Sequence, residues 1–123
     1  MAKISEITTG EQTVTASGAV TGSLTTATLT GDYTVKVRVR GLGAGEGVLI
    51  SIQDTASVTA FSDANNVAVF HVVGGLPTEG VTKEWREYEI PLTRFGSTNN
   101  ALRAFCTVAS GTPTAYVLAW LEQ

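Results

Sequence analysis

A single cysteine and a single histidine leave this 123-residue chain unable to close a disulfide within itself or to build a zinc site from its own thiols and imidazoles. Charge is also scarce: Asp, Glu, Lys and Arg make up 15% of the residues, against roughly 25% in an average globular domain. What charge there is leans acidic, with 8 Lys and Arg against 11 Asp and Glu. Sequence-independent nucleic-acid binding draws its affinity from clustered cations, so that sign argues against it. No apolar run approaches the roughly 20 residues of a membrane-spanning helix. No basic segment leads into an apolar core as in a secretory signal. Neither nucleic acid nor membrane is therefore expected as a partner, and synthesis in a reducing cytoplasm is expected. Helical periodicity is missing too.

Period-two alternation takes its place. In Asp32-Tyr33-Thr34-Val35-Lys36-Val37-Arg38-Val39-Arg40, the residues Tyr33, Val35, Val37 and Val39 face one way, and Thr34, Lys36, Arg38 and Arg40 face the other. Successive side chains on a pleated strand point to opposite faces, so this segment buries one face and wets the other. Similar runs at residues 12–15, 23–29, 48–53, 58–61, 66–73, 85–90, 101–108 and 115–121 are separated by Gly, Asn, Ser, Thr and Pro. Eight or nine strands spaced near ten residues apart, too close for crossover helices, predict an all-β antiparallel sandwich. Residues 1–10 read as a polar N-terminal arm with Ile4 and Ile7 as its apolar anchors, and residues 11–123 as the sandwich domain. Two strands are apolar on both sides: Val67 to Val73, and the last, with Tyr116, Leu118 and Trp120 opposite Val117, Ala119 and Leu121. Both are expected to be covered on two faces, pointing to a homo-oligomer, a trimer being plausible; burial under the chain's own loops is the alternative.

Chemistry-bearing residues do not gather. The Gly41–Gly47 run (residues 41–47) leads into a strand, whereas a phosphate-cradling loop needs a helix after it. Glu87 and Glu89 share a strand face with Trp85, a poor arrangement for the two carboxylates of a glycosidase. His71 lies among valines with no nucleophile or orienting acid, so a buried, hydrogen-bonded histidine is expected. Cys106, in step with Leu102 and Ala104, reads as a small buried hydrophobe. Asp54 and Asp63 leave a loop calcium as a minor alternative. No catalytic site and no cofactor are expected, and the chain is not read as an enzyme. Tyr88 and Trp120 are expected in the core, and Trp85 as the exposed ring most suited to contact.

The stretch Trp85-Arg86-Glu87-Tyr88-Glu89-Ile90-Pro91-Leu92, preceded by residues 33–40 and 48–54, resembles the jelly-roll sandwiches of carbohydrate-binding modules. In its Gly, Thr, Ala and Val-rich, cysteine-poor character the chain also resembles the auxiliary proteins that decorate tailed-bacteriophage heads. With the first as the alternative, the second resemblance carries the leading expectation, a jelly-roll structural protein of the virion that cements the outer capsid surface. Its partner would be the major capsid protein, contacted through Ile4 and Ile7, and it would be made in the host bacterial cytoplasm. The first implies glycan binding, as a free module or a receptor-binding virion component, with Trp85 as the contact ring.

Overall fold

The computed structural model describes residues 4–25, 33–55, 65–74, 86–92 and 101–122. Among them lie ten strands: β1 (Ile4–Glu6), β2 (Gln12–Val14), β3 (Gly18–Ala19), β4 (Leu24–Thr25), β5 (Tyr33–Arg40), β6 (Gly47–Thr55), β7 (Asn65–Val73), β8 (Arg86–Leu92), β9 (Ala101–Ser110) and β10 (Ala115–Glu122). They form two five-stranded antiparallel sheets. Sheet A runs β1-β10-β5-β8, with β2 also on β10; sheet B runs β3-β9-β6-β7, with β4 also on β9. Each sheet interleaves strands from the two ends of the chain with strands from its middle. That double Greek-key order is the jelly roll, so the predicted all-β sandwich holds. The expected strand at residues 58–61 lies outside the described residues.

Alternation sets the core. From sheet A, Val35, Val37 and Val39 and then Val117, Ala119 and Leu121 point inward, all essentially without solvent contact. They meet Val48, Ile50 and Ile52 on β6, Phe70 and Val72 on β7, and Leu102, Ala104 and Cys106 on β9. Alanines at 68, 104, 115 and 119 leave room for the isoleucines and Phe70 of this cluster, so large and small residues share the space between the sheets. Tyr88 closes one side with its ring 6.2 Å from that of Phe70, in keeping with its expected core role. Burial pushes the Cys106 thiol up to about 11, which leaves it protonated and unreactive at neutral pH.

The segment expected as an arm is stitched into the sandwich. Ile4, Ser5 and Glu6 pair with Glu122, Leu121 and Trp120 of β10. The N–H groups of Ile7 and Thr8 both donate to the Ala119 carbonyl, at 2.9 and 3.2 Å. Thr8 Oγ1 accepts from the Ala119 N–H at 3.1 Å and donates to the Gly10 carbonyl at 2.8 Å. Ile7 itself is fully buried in the chain's own core. An apolar residue seated there satisfies its hydrophobic drive within the chain. The side chain of Ile4 lies outside the described residues.

Gly22 makes this stitching possible. Its φ is +124°, and a Cβ there would lie 2.5 Å from the Thr9 nitrogen and 2.8 Å from the Thr8 carbonyl carbon. Only a residue without a side chain lets the backbone before β4 approach the 7–9 segment, whose Thr9 N–H donates to the Thr21 carbonyl at 3.0 Å.

Two expectations about coverage need correction. Among the described residues β7 is not central but ends sheet B, and Val69 and Val73 on its outer side are 47% and 55% exposed. His71, on the same side, is exposed rather than buried. β10 is central, but its outer side is covered by long charged side chains of its neighbours within the chain.

Candidate ligand-binding groove

Register brings charged and aromatic side chains together on the outer face of sheet A. Across it, Glu6 pairs with Trp120, Trp120 with Lys36, and Lys36 with Glu89, a row drawn from four strands. The next row on this face sets Leu118 beside Arg38 and Arg38 beside Glu87; one further, Thr13 lies beside Tyr116 and Tyr116 beside Arg40. All of the first two rows except Glu89, together with Glu122, line an open groove of about 310 Å³, with Trp120 and Leu118 as its apolar strip. Trp120 was expected in the core. Its parity with Tyr116 and Leu118 instead turns it outward, and it stands outside the core cluster although only 8% exposed.

What buries it is charge. The Arg38 guanidinium lies 5.3 Å from the Trp120 ring centroid, and Arg40 sits 4.2 Å from that of Tyr116. Both arginines are held by carboxylates of neighbouring segments, Glu87 on β8 and Glu11 just before β2. Arg38 Nε donates to Glu87 Oε2 at 2.8 Å, and Arg40 Nη2 to Glu11 Oε1 at 2.8 Å. Lys36 Nζ sits among three carboxylates, at 3.3 Å from Glu122 and 3.7 Å from each of Glu87 and Glu89. The Trp120 indole N–H donates to Glu122 Oε2 at 3.2 Å, fixing the ring within the sheet face. The guanidinium heads, held by carboxylates, lie over the rings, which is how a surface indole becomes covered without entering a core.

This network sets protonation. The Trp120 indole N–H, and then Lys36, hold the Glu122 carboxyl below the usual carboxylate range. Hydrogen bonding to Glu122 raises Lys36 above its ordinary value, and Glu11 does the same for Arg40. At neutral pH Glu122 is therefore an anion that accepts hydrogen bonds and cannot serve as a proton donor. The arrangement offers an apolar strip flanked by ionised acceptors and cationic donors, open along its length. It is equipped to hold a ligand with an apolar face and a hydroxylated rim.

Of the residues singled out from sequence, Trp85 lies outside the described residues. Glu87 and Glu89 do project from the sheet face together. Asp54 is buried at the end of β6 with Oδ1 lacking a hydrogen-bond partner, and Asp63 lies outside the described residues. Among the described residues no group of three His, Cys, Asp or Glu side chains could hold a metal. The loop at residues 41–46 runs directly into β6, as expected, with Gly43 N–H donating to Glu46 Oε1 at 2.7 Å.

No family model matches the chain, and no curated protein matches it. Solved structures do. One holds the CBM22-1 and GH10 modules from the N-terminal part of endo-1,4-β-D-xylanase 10B of Clostridium thermocellum, in complex with xylohexaose. It superposes on 99% of this chain with a TM-score of 0.55 at 18% sequence identity. The chain spans 24% of the length of that protein. Likeness at this identity establishes the fold: an all-β jelly-roll sandwich.

Proposed function

We propose that this jelly roll is a carbohydrate-binding module whose groove on the outer face of sheet A holds a neutral polysaccharide chain. One observation carries the reading: Trp120 and Leu118 form an apolar strip on a solvent-facing sheet, ringed by Glu6, Glu87, Glu122, Lys36 and Arg38. A pyranose presents exactly opposed chemistries, an apolar C–H face and an equatorial fringe of hydroxyls, so it stacks on the indole while its hydroxyls meet charged donors and acceptors. Further support comes from the solved structure with a CBM22 module and a bound xylo-oligosaccharide, which shares the fold. The charge balance favours a neutral ligand. Glu6, Glu87, Glu89 and Glu122 outnumber Lys36 and Arg38 around the groove, so a uronate-bearing chain meets net repulsion.

Stacking requires Arg38 to leave the Trp120 ring, and the magnitudes allow it. An exposed cation–π contact is worth about 0.5–1 kcal/mol. The Arg38–Glu87 pair, roughly 40% exposed on each side, contributes a similar amount or less in water. A sugar ring that covers the indole and meets Lys36 and the flanking carboxylates through its hydroxyls offsets that cost.

Composition is what supports the capsid-decoration function expected first from the sequence, and the groove adds nothing to it. Affinity electrophoresis and calorimetry against xylan, xylohexaose, cellulose, mannan and a polyuronate test the proposal. Retention by a neutral polysaccharide, weakened at least tenfold in Trp120→Ala, is the expected result. No retention by any of these, or a Trp120→Ala variant that binds like the parent, sinks it.

A further inference from the structure

Each sheet ends in one long strand, and the two ends are built differently. β8, Arg-Glu-Tyr-Glu-Ile-Pro-Leu, closes sheet A with Arg86, Glu87, Glu89 and Pro91. These are the devices that keep an edge from pairing with another chain: charge to repel, and a proline that withholds an N–H. β7, Asn-Asn-Val-Ala-Val-Phe-His-Val-Val, closes sheet B with no Asp, Glu, Lys, Arg or Pro at all. Its one irregularity is the register shift against β6 near Gln53 and Asn66, which leaves Ala68 to Val73 as a regular strand. Among the described residues nothing pairs with its outer edge.

The face beside that edge is apolar as well. Val69 and Val73 are the two large hydrophobic residues most exposed to solvent among the described residues. Val69 lies across from Ser51, and Ser51 from Phe105; His71 lies across from Leu49, and Leu49 from Thr107. Arg103 brings the one fixed charge of this face among the described residues, drawn over the Phe105 ring at 5.5 Å and donating to Gln53 Oε1 at 2.8 Å.

We infer that β7 is a self-association edge, at which a second copy of this chain adds its own β7 antiparallel and continues sheet B across a two-fold axis. Charge decides which occupant fits. A two-fold interface sets a patch against itself, so every fixed charge near the axis meets its own kind. The β7 strand carries none, and pairing it dehydrates no ion. A charged partner protein would find nothing there to complement, whereas a second β7 brings the same edge backbone groups, unpaired among the described residues, and the same valines. Pairing across Ala68 to Val73 satisfies edge N–H and C=O groups, and it brings Val69 and Val73 of one copy beside those of the other.

Sedimentation velocity of the full chain over a concentration series reads this directly. The parent is expected to show a dimer whose fraction rises with concentration and dominates by about 100 µM. Val69→Lys and Val73→Lys each place like charges across the axis and are expected to weaken the dimer at least tenfold. Glu89→Gln, on the opposite sheet, leaves it unchanged. Circular dichroism and thermal unfolding confirm that the lysine variants keep the fold, and Val73→Thr serves in place of either that does not. A parent that stays monomeric throughout overturns the inference. So does a dimer that survives both folded lysine variants, or one that Glu89→Gln dissolves, because the contact then lies elsewhere.

Discussion

Two sheets with nearly the same inner face carry outer faces of opposite character. On sheet A the outward positions of β1, β5, β8 and β10 bring Glu6, Lys36, Arg38, Arg40, Glu87, Glu89 and Glu122 to one surface. On sheet B the outward positions of β6, β7 and β9 bring Leu49, Ser51, Val69, His71, Arg103, Phe105 and Thr107. The core fixes only every second residue, so the other half of each strand is free to specialise. Sheet A uses that freedom to lock an indole under cross-strand ion pairs, a surface suited to a polar ligand. Sheet B is left nearly without charge, a surface cheap to dehydrate and suited to protein.

Both sheets belong to one sandwich, and Gly22 is where it is most easily broken. Alanine there combines a positive φ with overlap against the Thr8 and Thr9 backbone. Neither atom is the flexible end of a side chain, so the 7–9 segment must withdraw from Ala119. Gly22→Ala is expected to destabilise by more than about 2 kcal/mol and to lower the melting temperature by roughly 10 °C. Thermal unfolding checks this. A variant as stable as the parent would mean that the segment is not held between β10 and the approach to β4.

Next in size is the cover over the indole. Arg38→Ala removes the guanidinium without touching the apolar strip, so a ligand no longer has to displace it from Trp120. Glycan binding is expected to tighten about fivefold, near 1 kcal/mol, with little change in stability because the lost ion pair is exposed. Calorimetry against the retained polysaccharide reads both affinity and enthalpy. Weaker binding would show that Arg38 contributes more to hydroxyl recognition than it takes away by covering the ring, and that the groove is open rather than gated. Val69→Thr, on the other sheet, is the matched control and leaves the affinity unchanged.

Much of the fold was legible because alternation is a local property. Tyr33, Val35, Val37 and Val39 announce an inner face without any knowledge of partners, and Cys106 follows Leu102 and Ala104 inward for the same reason. The groove was not legible, because it depends on pairing. Parity shows that Tyr116, Leu118 and Trp120 share a face, yet that face opposes one as apolar, and sequence alone does not say which set of the two is inside. Only the register placing Trp120 beside Lys36 and Leu118 beside Arg38 settles it. A usable signal was present in the opposite signs of Lys36 and Arg38 and of Glu87 and Glu89, two alternating runs that complement one another across adjacent strands. His71 was misjudged for a related reason. A strand apolar on both sides reads as central, but β7 is an edge, and its outer valines and histidine face solvent.

The smallest effect separates the two faces by pH. Glu122 has its folded value lowered, so its contribution is present above the ordinary 4.5 and is lost as pH falls through that lower value. Lys36 has its folded value raised, so its contribution is present below the ordinary 10.5 and is lost as pH rises through the higher value. Between about pH 5 and pH 10 both are charged, and glycan affinity at the sheet A groove is expected to be flat. Below that window Glu122 takes up a proton, the indole N–H loses its anionic acceptor, Lys36 loses its nearest carboxylate, and affinity falls by a few-fold. Trp120 fluorescence across an acid titration follows the same event without ligand, and Glu122→Gln is expected to remove the acid limb of both curves. An affinity that changes smoothly through neutrality would place the controlling group outside this network and deny the charged face its role in fixing the ring.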